Sequence, residues 1–189
     1  MIAGLVLAAG AARRFGAPKQ LAELDGRTLL EHVLAAMWSA PVDRLVVVLG
    51  AYADEIRARV DLRGAESVVC VDWAEGQSAS LRSGIAAVEA EAEAIAVALG
   101  DQPFLHARAV ARVLAARGRG CDAVRATYDS RPGHPIVLER ALFGRLAALT
   151  GDVGAREMLA SSNVCDVDCG GLGRPDDVDT PEDLEVARA

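Results

Sequence analysis

Six charged side chains in this 189-residue chain are spaced so that together they could handle phosphate. Arg13, Arg14 and Lys19 fall within seven residues of one another, inside Leu7-Ala8-Ala9-Gly10-Ala11-Ala12-Arg13-Arg14-Phe15-Gly16-Ala17-Pro18-Lys19-Gln20. Asp101 lies in Gly100-Asp101-Gln102-Pro103, and Asp177 and Asp179 open Asp177-Val178-Asp179-Thr180-Pro181-Glu182-Asp183. Small residues in the first segment let backbone N–H groups approach a ligand without side-chain obstruction. Backbone donors beside clustered cations describe a polyphosphate cradle. A carboxylate opposite such a cradle calls for a metal, and Mg²⁺ prefers one or two carboxylates plus phosphate oxygens.

Two common phosphate motifs do not fit. A P-loop requires Gly-x-x-x-x-Gly-Lys-Ser/Thr, whereas Gly16 is followed by Ala17 and Pro18. A dinucleotide fingerprint requires Gly-x-Gly-x-x-Gly after the strand, which Gly10-Ala11-Ala12 does not supply.

The three segments need a scaffold that delivers them to one edge, and the hydrophobic pattern predicts an α/β sheet. Met1 to Val6 reads as a buried first strand, and Thr28 with Glu31 forms a capping-box pattern ahead of Leu30, Val33, Leu34 and Met37 at helical spacing. Leu45 to Leu49 is a second strand, Ala53 to Val60 a short helix, and Ser67 to Val71 a third strand. Leu81, Ile85 and Val88 mark a helix, followed by a strand over Ala94 to Leu99 that ends at Gly100. Ala86 to Ala96 is also an Ala/Glu-biased stretch suited to an exposed helix. Val110, Val113 and Leu114 lie on a helix, Asp122 to Tyr128 is a strand, and the turn Gly133-His134-Pro135 introduces a short strand over Ile136 to Leu138. Leu142, Leu146 and Leu149 line a helix, and Gly151 to Gly154 punctuate before another through Met158. Val164 to Val167 is the last strand, with Thr180 as N-cap, Pro181 at N1 and Asp183 at N3 of a terminal helix. Asp101 thus follows a buried strand, where ligands gather in open α/β sheets. Alternation in an extended segment puts Asp177 and Asp179 on one face.

Composition bounds the rest. The length favours one domain spanning residues 1–189, and at 52% hydrophobic but 4% aromatic the core must be built from Ala, Val, Leu and Ile. No apolar run is long enough to cross a bilayer, and the early arginines follow the apolar run, the reverse of a signal peptide. Cys70, Cys121, Cys165 and Cys169 form no framework of a secreted mini-domain. A reduced, cytoplasmic protein is expected. Cys165 and Cys169 have no further clustered ligands for zinc, Trp73 reads as packing with base stacking the alternative, and His134 is a turn histidine or an acceptor contact. The net charge of −7 argues against nucleic-acid binding and repels a triphosphate, so local cations and a divalent metal must act at short range.

The pattern Leu-Ala-Ala-Gly-x-x-x-Arg-x-Gly-x-x-Lys, read from Leu7 to Lys19, resembles the signature of MobA-like nucleotidyltransferases, which activate molybdopterin, sugar phosphates and related phosphates. The resemblance implies a three-layer α/β/α, mostly parallel twisted sheet of glycosyltransferase-A-like (Rossmann-like) form. The segments Trp73 to Leu81, Gly133 to Pro135 and Gly151 to Arg156 are similar to those of molybdenum cofactor cytidylyltransferases, and the guanylyl branch usually reads Leu-Ala-Gly-Gly where this chain has Leu7-Ala8-Ala9-Gly10. Ala12 and Phe15 depart from the cytidylyl pattern, which favours Ser and Met there.

The resemblance implies transfer of CMP from CTP to Mo-molybdopterin with release of pyrophosphate. Leu7, Ala8, Ala9, Gly10, Arg13, Arg14, Gly16, Lys19, Ser80 and Gly100 would bind the nucleotide, with Lys19, Arg14 and Asp101 catalytic. Mg²⁺ would sit on Asp101 with Asp177 or Asp179, and His134, Asp152 and Arg156 would meet the acceptor. The Ala9 methyl is expected to exclude a purine. A recipient molybdoenzyme or its maturation chaperone is the further partner; membrane and nucleic acid are not expected. The rivals are a guanylyl or a sugar- or polyol-phosphate cytidylyl transferase, and a non-catalytic module that binds nucleotide or delivers molybdopterin.

Overall fold

A buried strand serves two helical layers only if alternate side chains face opposite ways, and β1 (Ile2–Ala8) does so. Val6 and Ala8 join one hydrophobic cluster, whereas Ala3, Leu5 and Leu7 join another. The computed structural model describes residues 1–149 and 154–188. After β1 come a hairpin of β2 (Glu23–Leu24) and β3 (Arg27–Thr28), then α1 (Leu29–Trp38), β4 (Arg44–Leu49), α2 (Ala53–Arg59) and β5 (Glu66–Val69). They are followed by α3 (Gln77–Val88), β6 (Ala94–Leu99), α4 (Ala107–Ala115), β7 (Ala123–Tyr128) and β8 (Arg131–Glu139). α5 (Phe143–Ala147), α6 (Gly154–Ala160), β9 (Val164–Asp168) and α7 (Pro181–Arg188) complete the order.

The large sheet has the order β5-β4-β1-β6-β8-β7-β9. β8 runs antiparallel to both neighbours, and the remaining pairs are parallel. Leu30, Val33 and Leu34 of α1, Ile56 of α2 and Val110 and Val113 of α4 cover one face. Ile85 and Val88 of α3, Phe143 and Leu146 of α5 and Met158 of α6 cover the other. The result is the expected α/β/α, mostly parallel architecture. Gly84 of α3 has no side chain because Leu5 and Val48 press against it; a Cβ would lie 2.8 Å and 2.9 Å from their methyls.

Local signals account for most element ends. Thr28 Oγ1 accepts the Glu31 N–H at 3.2 Å and the Glu31 carboxylate accepts the Thr28 N–H at 2.7 Å, a complete capping box. Thr180 and Asp183 make the same exchange ahead of α7, at 3.2 Å and 2.8 Å. Both were expected from the sequence.

Several expectations are corrected. The hairpin joining β7 to β8 turns at Asp129 and Ser130, both at positive φ (51° and 64°), not at Gly133-His134-Pro135. Two left-handed residues give a turn whose twist matches the strands. Gly133 lies inside β8 because the chain passes close to Pro175 and Tyr128, 2.8 Å and 3.1 Å from a would-be Cβ. Ala86 to Ala96 is not one exposed helix: α3 ends at Val88, and Ala94 to Ala96 are fully buried in β6. Sheet burial outweighs the helix preference of alanine there. Cys121 and Cys165, with Cα atoms 5.8 Å apart, face each other across the paired ends of β7 and β9, close enough to be bridged. Cys70 and Cys169 are free and buried. Among the described residues no helix is long and apolar enough to cross a membrane.

Thr28→Ala should lower the unfolding free energy by about 1 kcal/mol. The measurement is the urea midpoint at constant slope; an unmoved midpoint would mean that the cap contributes nothing.

Candidate active site

Parallel pairing puts the C-terminal ends of β1, β4 and β6 side by side, with Leu7 opposite Val48 and Leu99. The loop after β1 and the loop after β6 therefore open at the same edge. Gly100 allows the close approach: a Cβ there would lie 2.9 Å from the Ala8 methyl. The third segment is fastened to the second, because the Val178 N–H donates to the Asp101 carbonyl at 3.0 Å. Three segments far apart in sequence thus border one cleft of about 510 Å³.

The first loop turns its carbonyls away from this cleft. The Gln20 amide donates to the carbonyls of Ala8 at 3.1 Å and Gly10 at 3.2 Å. The Ala9 carbonyl accepts the Ala51 N–H at 3.1 Å. Tyr52 Oη donates to the Ala11 carbonyl at 3.2 Å, and the Ala12 carbonyl accepts from Phe15 and Gly16 at 2.9 Å and 3.1 Å. Five consecutive carbonyls are accounted for, while the N–H groups of Gly10, Ala11, Ala12 and Arg13 have no protein acceptor among the described residues. Such a run of free donors is an anion-binding concavity.

Lys19 sits on a short 3-10 turn, Lys19–Leu21, and is mostly buried, its side chain 11% exposed. Its ammonium contacts the Asp101 carboxylate and lies 2.6 Å from Asp179 Oδ1. Arg14, 73% exposed, reaches the other Asp179 oxygen at 2.6 Å. Burial alone would lower the Lys19 pKa, but Asp101 and Asp179 outweigh it and raise the pKa above the ordinary lysine value.

The two aspartates of the third segment part company. Asp179 borders the cleft with Lys19, whereas Asp177 accepts from the Gln102 amide at 2.6 Å and borders a second cavity. Burial raises the Asp177 pKa and the charges of Asp101 and Asp179 add to this, against the opposing Gln102 hydrogen bond. The second cavity, about 480 Å³, shares Leu7, Gln77 and Leu99 with the first. Its walls are largely apolar, with His134, Arg125 and Arg156 among them. His134 is half-buried and densely surrounded, and this burial pushes its pKa down to about 4. The imidazole is therefore neutral at pH 7.

Of the expected nucleotide contacts, Leu7, Ala8, Ala9, Gly10, Arg13, Arg14, Lys19, Ser80 and Gly100 border the cleft. Gly16 does not: at φ 75° it closes the turn that Ala12 opens, and so shapes the loop from outside. The Ala9 methyl is also not where the sequence put it. Ala9 is 4% exposed and packs in the core, its Cβ 2.8 Å from the position a Gly50 Cβ would take. A methyl turned inward cannot exclude a purine directly. Asp152 lies outside the described residues. Sequence reasoning passed over Gln20, Gln102, Gly50 and Tyr52, which hold the loops rather than carry charge. The first two stand beside Lys19 and Asp101, the one signal that could have found them.

Residues 4–166 match the MobA-like NTP transferase domain. The chain belongs to that family. This MobA-like chain is 37% identical over 193 residues to nicotine blue oxidoreductase of Paenarthrobacter nicotinovorans, covering 97% of this chain and 94% of the relative. It is 29% identical over 204 residues to the purine catabolism protein PucB of Bacillus subtilis (strain 168), covering 98% and 95%. The crystal structure of Rv0371c from Mycobacterium tuberculosis H37Rv superposes with a TM-score of 0.90 at 35% identity, over 99% of this chain and 96% of that one. A manganese complex of Rv0371c gives a TM-score of 0.86 at 34% identity, over 99% and 97%. These likenesses carry the family and the fold, whereas nucleotide and acceptor must be read from the site.

Two outcomes follow from the geometry. Ala9→Gly should leave the relative kcat/KM for CTP and GTP within about twofold, since one methyl in contact with a base would give tenfold or more; a tenfold gain for GTP would restore the methyl as a barrier. The folded chain holds His134 neutral to about pH 4, whereas an unfolded histidine takes up its proton near 6.5. Stability contributed by the neutral ring is complete above pH 6.5 and is lost as the pH falls toward 4. His134→Gln should remove this part of the acid loss, measured as the difference between the two proteins' unfolding free energies across that range.

Proposed function

We propose that this MobA-like nucleotidyltransferase moves CMP from CTP to the terminal phosphate of Mo-molybdopterin, forming molybdopterin cytosine dinucleotide and pyrophosphate. One observation carries the reading: Lys19, Arg14, Asp101 and Asp179 converge under a loop of free N–H groups, and an apolar-walled cavity adjoins. The cytidylyl choice is supported by the resemblance of the loops Trp73 to Leu81 and Gly133 to Pro135, and by Leu7-Ala8-Ala9-Gly10.

A divalent cation fits the residues present. Asp101 Oδ1 is buried with no hydrogen-bond partner among the described residues, and its second oxygen and Asp179 converge on the same ammonium. Arg13, Arg14 and Lys19 against Asp101 and Asp179 leave only one net positive charge at the cleft, too little to balance a triphosphate without a metal. No group of three His, Cys, Asp or Glu among the described residues is built to hold an ion alone, which suits Mg²⁺ completed by phosphate and water. Asp101 and Asp179 would hold the metal, with Asp177 turned to the second cavity. Bound there, Mg²⁺ would supply Lewis-acid charge neutralisation on the phosphates.

The protein's own task is alignment. An oxygen of the acceptor phosphate bonds to the α-phosphorus of CTP, and the bond to the bridging oxygen breaks to release pyrophosphate. Gly10, Ala11 and Ala12 N–H groups donate to phosphate oxygens, and Arg13 and Arg14 draw the triphosphate in. Lys19, freed from a carboxylate, meets the charge that grows on the five-coordinate α-phosphate. The attacking oxygen is already anionic, so no strong base is needed. His134 and Arg156 border the space for the acceptor.

A second reading is favoured by the 37% identical relative, whose name is that of an oxidoreductase. The apolar cavity would then hold nicotine blue, and the purified protein would carry out its oxidation or reduction.

The deciding assay is pyrophosphate release with each of four NTPs, Mg²⁺ and Mo-molybdopterin. Release with CTP alone supports the proposal; redox turnover of nicotine blue without pyrophosphate release selects the second reading. Asp101→Asn should lower turnover by orders of magnitude in a folded protein, and Lys19→Ala should depress kcat more than it raises the KM for CTP. If Lys19→Ala alters KM alone, the lysine acts on the ground state instead.

A further inference from the structure

Gln20 is 3% exposed and carries no charge, yet it touches the cleft from beneath. Its amide nitrogen donates to the carbonyls of Ala8 and Gly10, one on each side of Ala9, and its oxygen is buried without a partner among the described residues. The orientation is fixed by these partners, because turning the amide over would set its oxygen against two carbonyl oxygens. A buried amide that leaves its oxygen unpaired costs stability, which its two donated hydrogen bonds offset at most in part. What the amide accomplishes is local. It clips together the two carbonyls that flank the start of the loop, so that the following N–H groups face outward.

We propose that Gln20 is the positioning residue of the phosphate-binding loop, holding Gly10 to Arg13 in the form that receives phosphate oxygens. The inference rests on the cleft being a nucleotide site, as argued above. Gln20 follows Lys19 on the same 3-10 turn, with Leu21 buried behind it. One short element therefore sets both the ammonium and the backbone donors, and their relative position is fixed by a single covalent step. Tyr52 and Ala51 hold the Ala11 and Ala9 carbonyls from the neighbouring segment. They leave the Ala8 and Gly10 carbonyls to Gln20, and among the described residues no other group donates to either.

The test compares wild type with Gln20→Met, which keeps length and burial but has no hydrogens to donate. Gln20→Glu is the second variant, isosteric with the native side chain and setting negative oxygen against both carbonyls. Binding of pyrophosphate and of CTP with Mg²⁺ is measured by calorimetry, together with the melting temperature and the KM for the acceptor. Gln20→Met should melt within a few degrees of wild type, bind both phosphate ligands roughly tenfold more weakly, and keep its acceptor KM. Gln20→Glu should bind them more weakly still, and it carries the test if Gln20→Met does not fold. Unchanged pyrophosphate and CTP affinity in a folded variant overturns the inference alone. Equal losses of acceptor and phosphate binding with a large fall in melting temperature also overturn it, since they describe a structural role. Wild type that binds pyrophosphate but transfers no CMP removes the functional reading and leaves Gln20 in place. Wild type that binds neither ligand overturns both.

Discussion

The ammonium of Lys19 between the carboxylates of Asp101 and Asp179 is the contact on which the rest of the site depends. It ties together segments from the start, middle and end of the chain in a place with little access to water. Three charged groups so close are unstable singly: either carboxylate without the lysine is a partly buried charge with no partner. The arrangement also explains why the site suits a metal-bound polyphosphate. A divalent cation can take over the carboxylates while phosphate oxygens take over the ammonium, and each charge exchanges one partner for another.

Backbone geometry supplies the second half of the cradle. A strand ends at Ala8, and beyond it the chain has polar groups that must be satisfied or left open. Every carbonyl from Ala8 to Ala12 has a partner in the surrounding structure. Small side chains make this possible, because Gly50 has no room for a Cβ against the Ala9 carbonyl, the Ala9 methyl and Trp73. Ala9 is thereby explained as a packing residue of the loop's inner side. Trp73 and Ser80 also border the cleft.

The two cavities meet at Leu7, Gln77 and Leu99, and this junction fits a reaction that joins two substrates. One cavity is cationic and lined by backbone, the other apolar with a neutral histidine.

Much of this was legible in the sequence because it is local. Continuous apolar runs marked the buried strands β4 and β6, the pairs Thr28–Glu31 and Thr180–Asp183 marked helix starts, and the spacing of Arg14 and Lys19 marked the loop after β1. Helix preference failed at Ala94 to Ala96, where two covered sheet faces decide conformation, and Gly133 was mistaken for a turn because its close approach to Pro175 is invisible along the chain. The sequence by itself determined the layered architecture, the family and which charged residues gather at the cleft, since those follow from residue type and short-range spacing. Only the tertiary structure decided that Asp179 rather than Asp177 meets Lys19, that the Ala9 methyl points inward, and that Gln20 clips the loop. Each of these depends on which atoms meet across the gap between distant segments, and neither periodicity nor composition carries a direction in space.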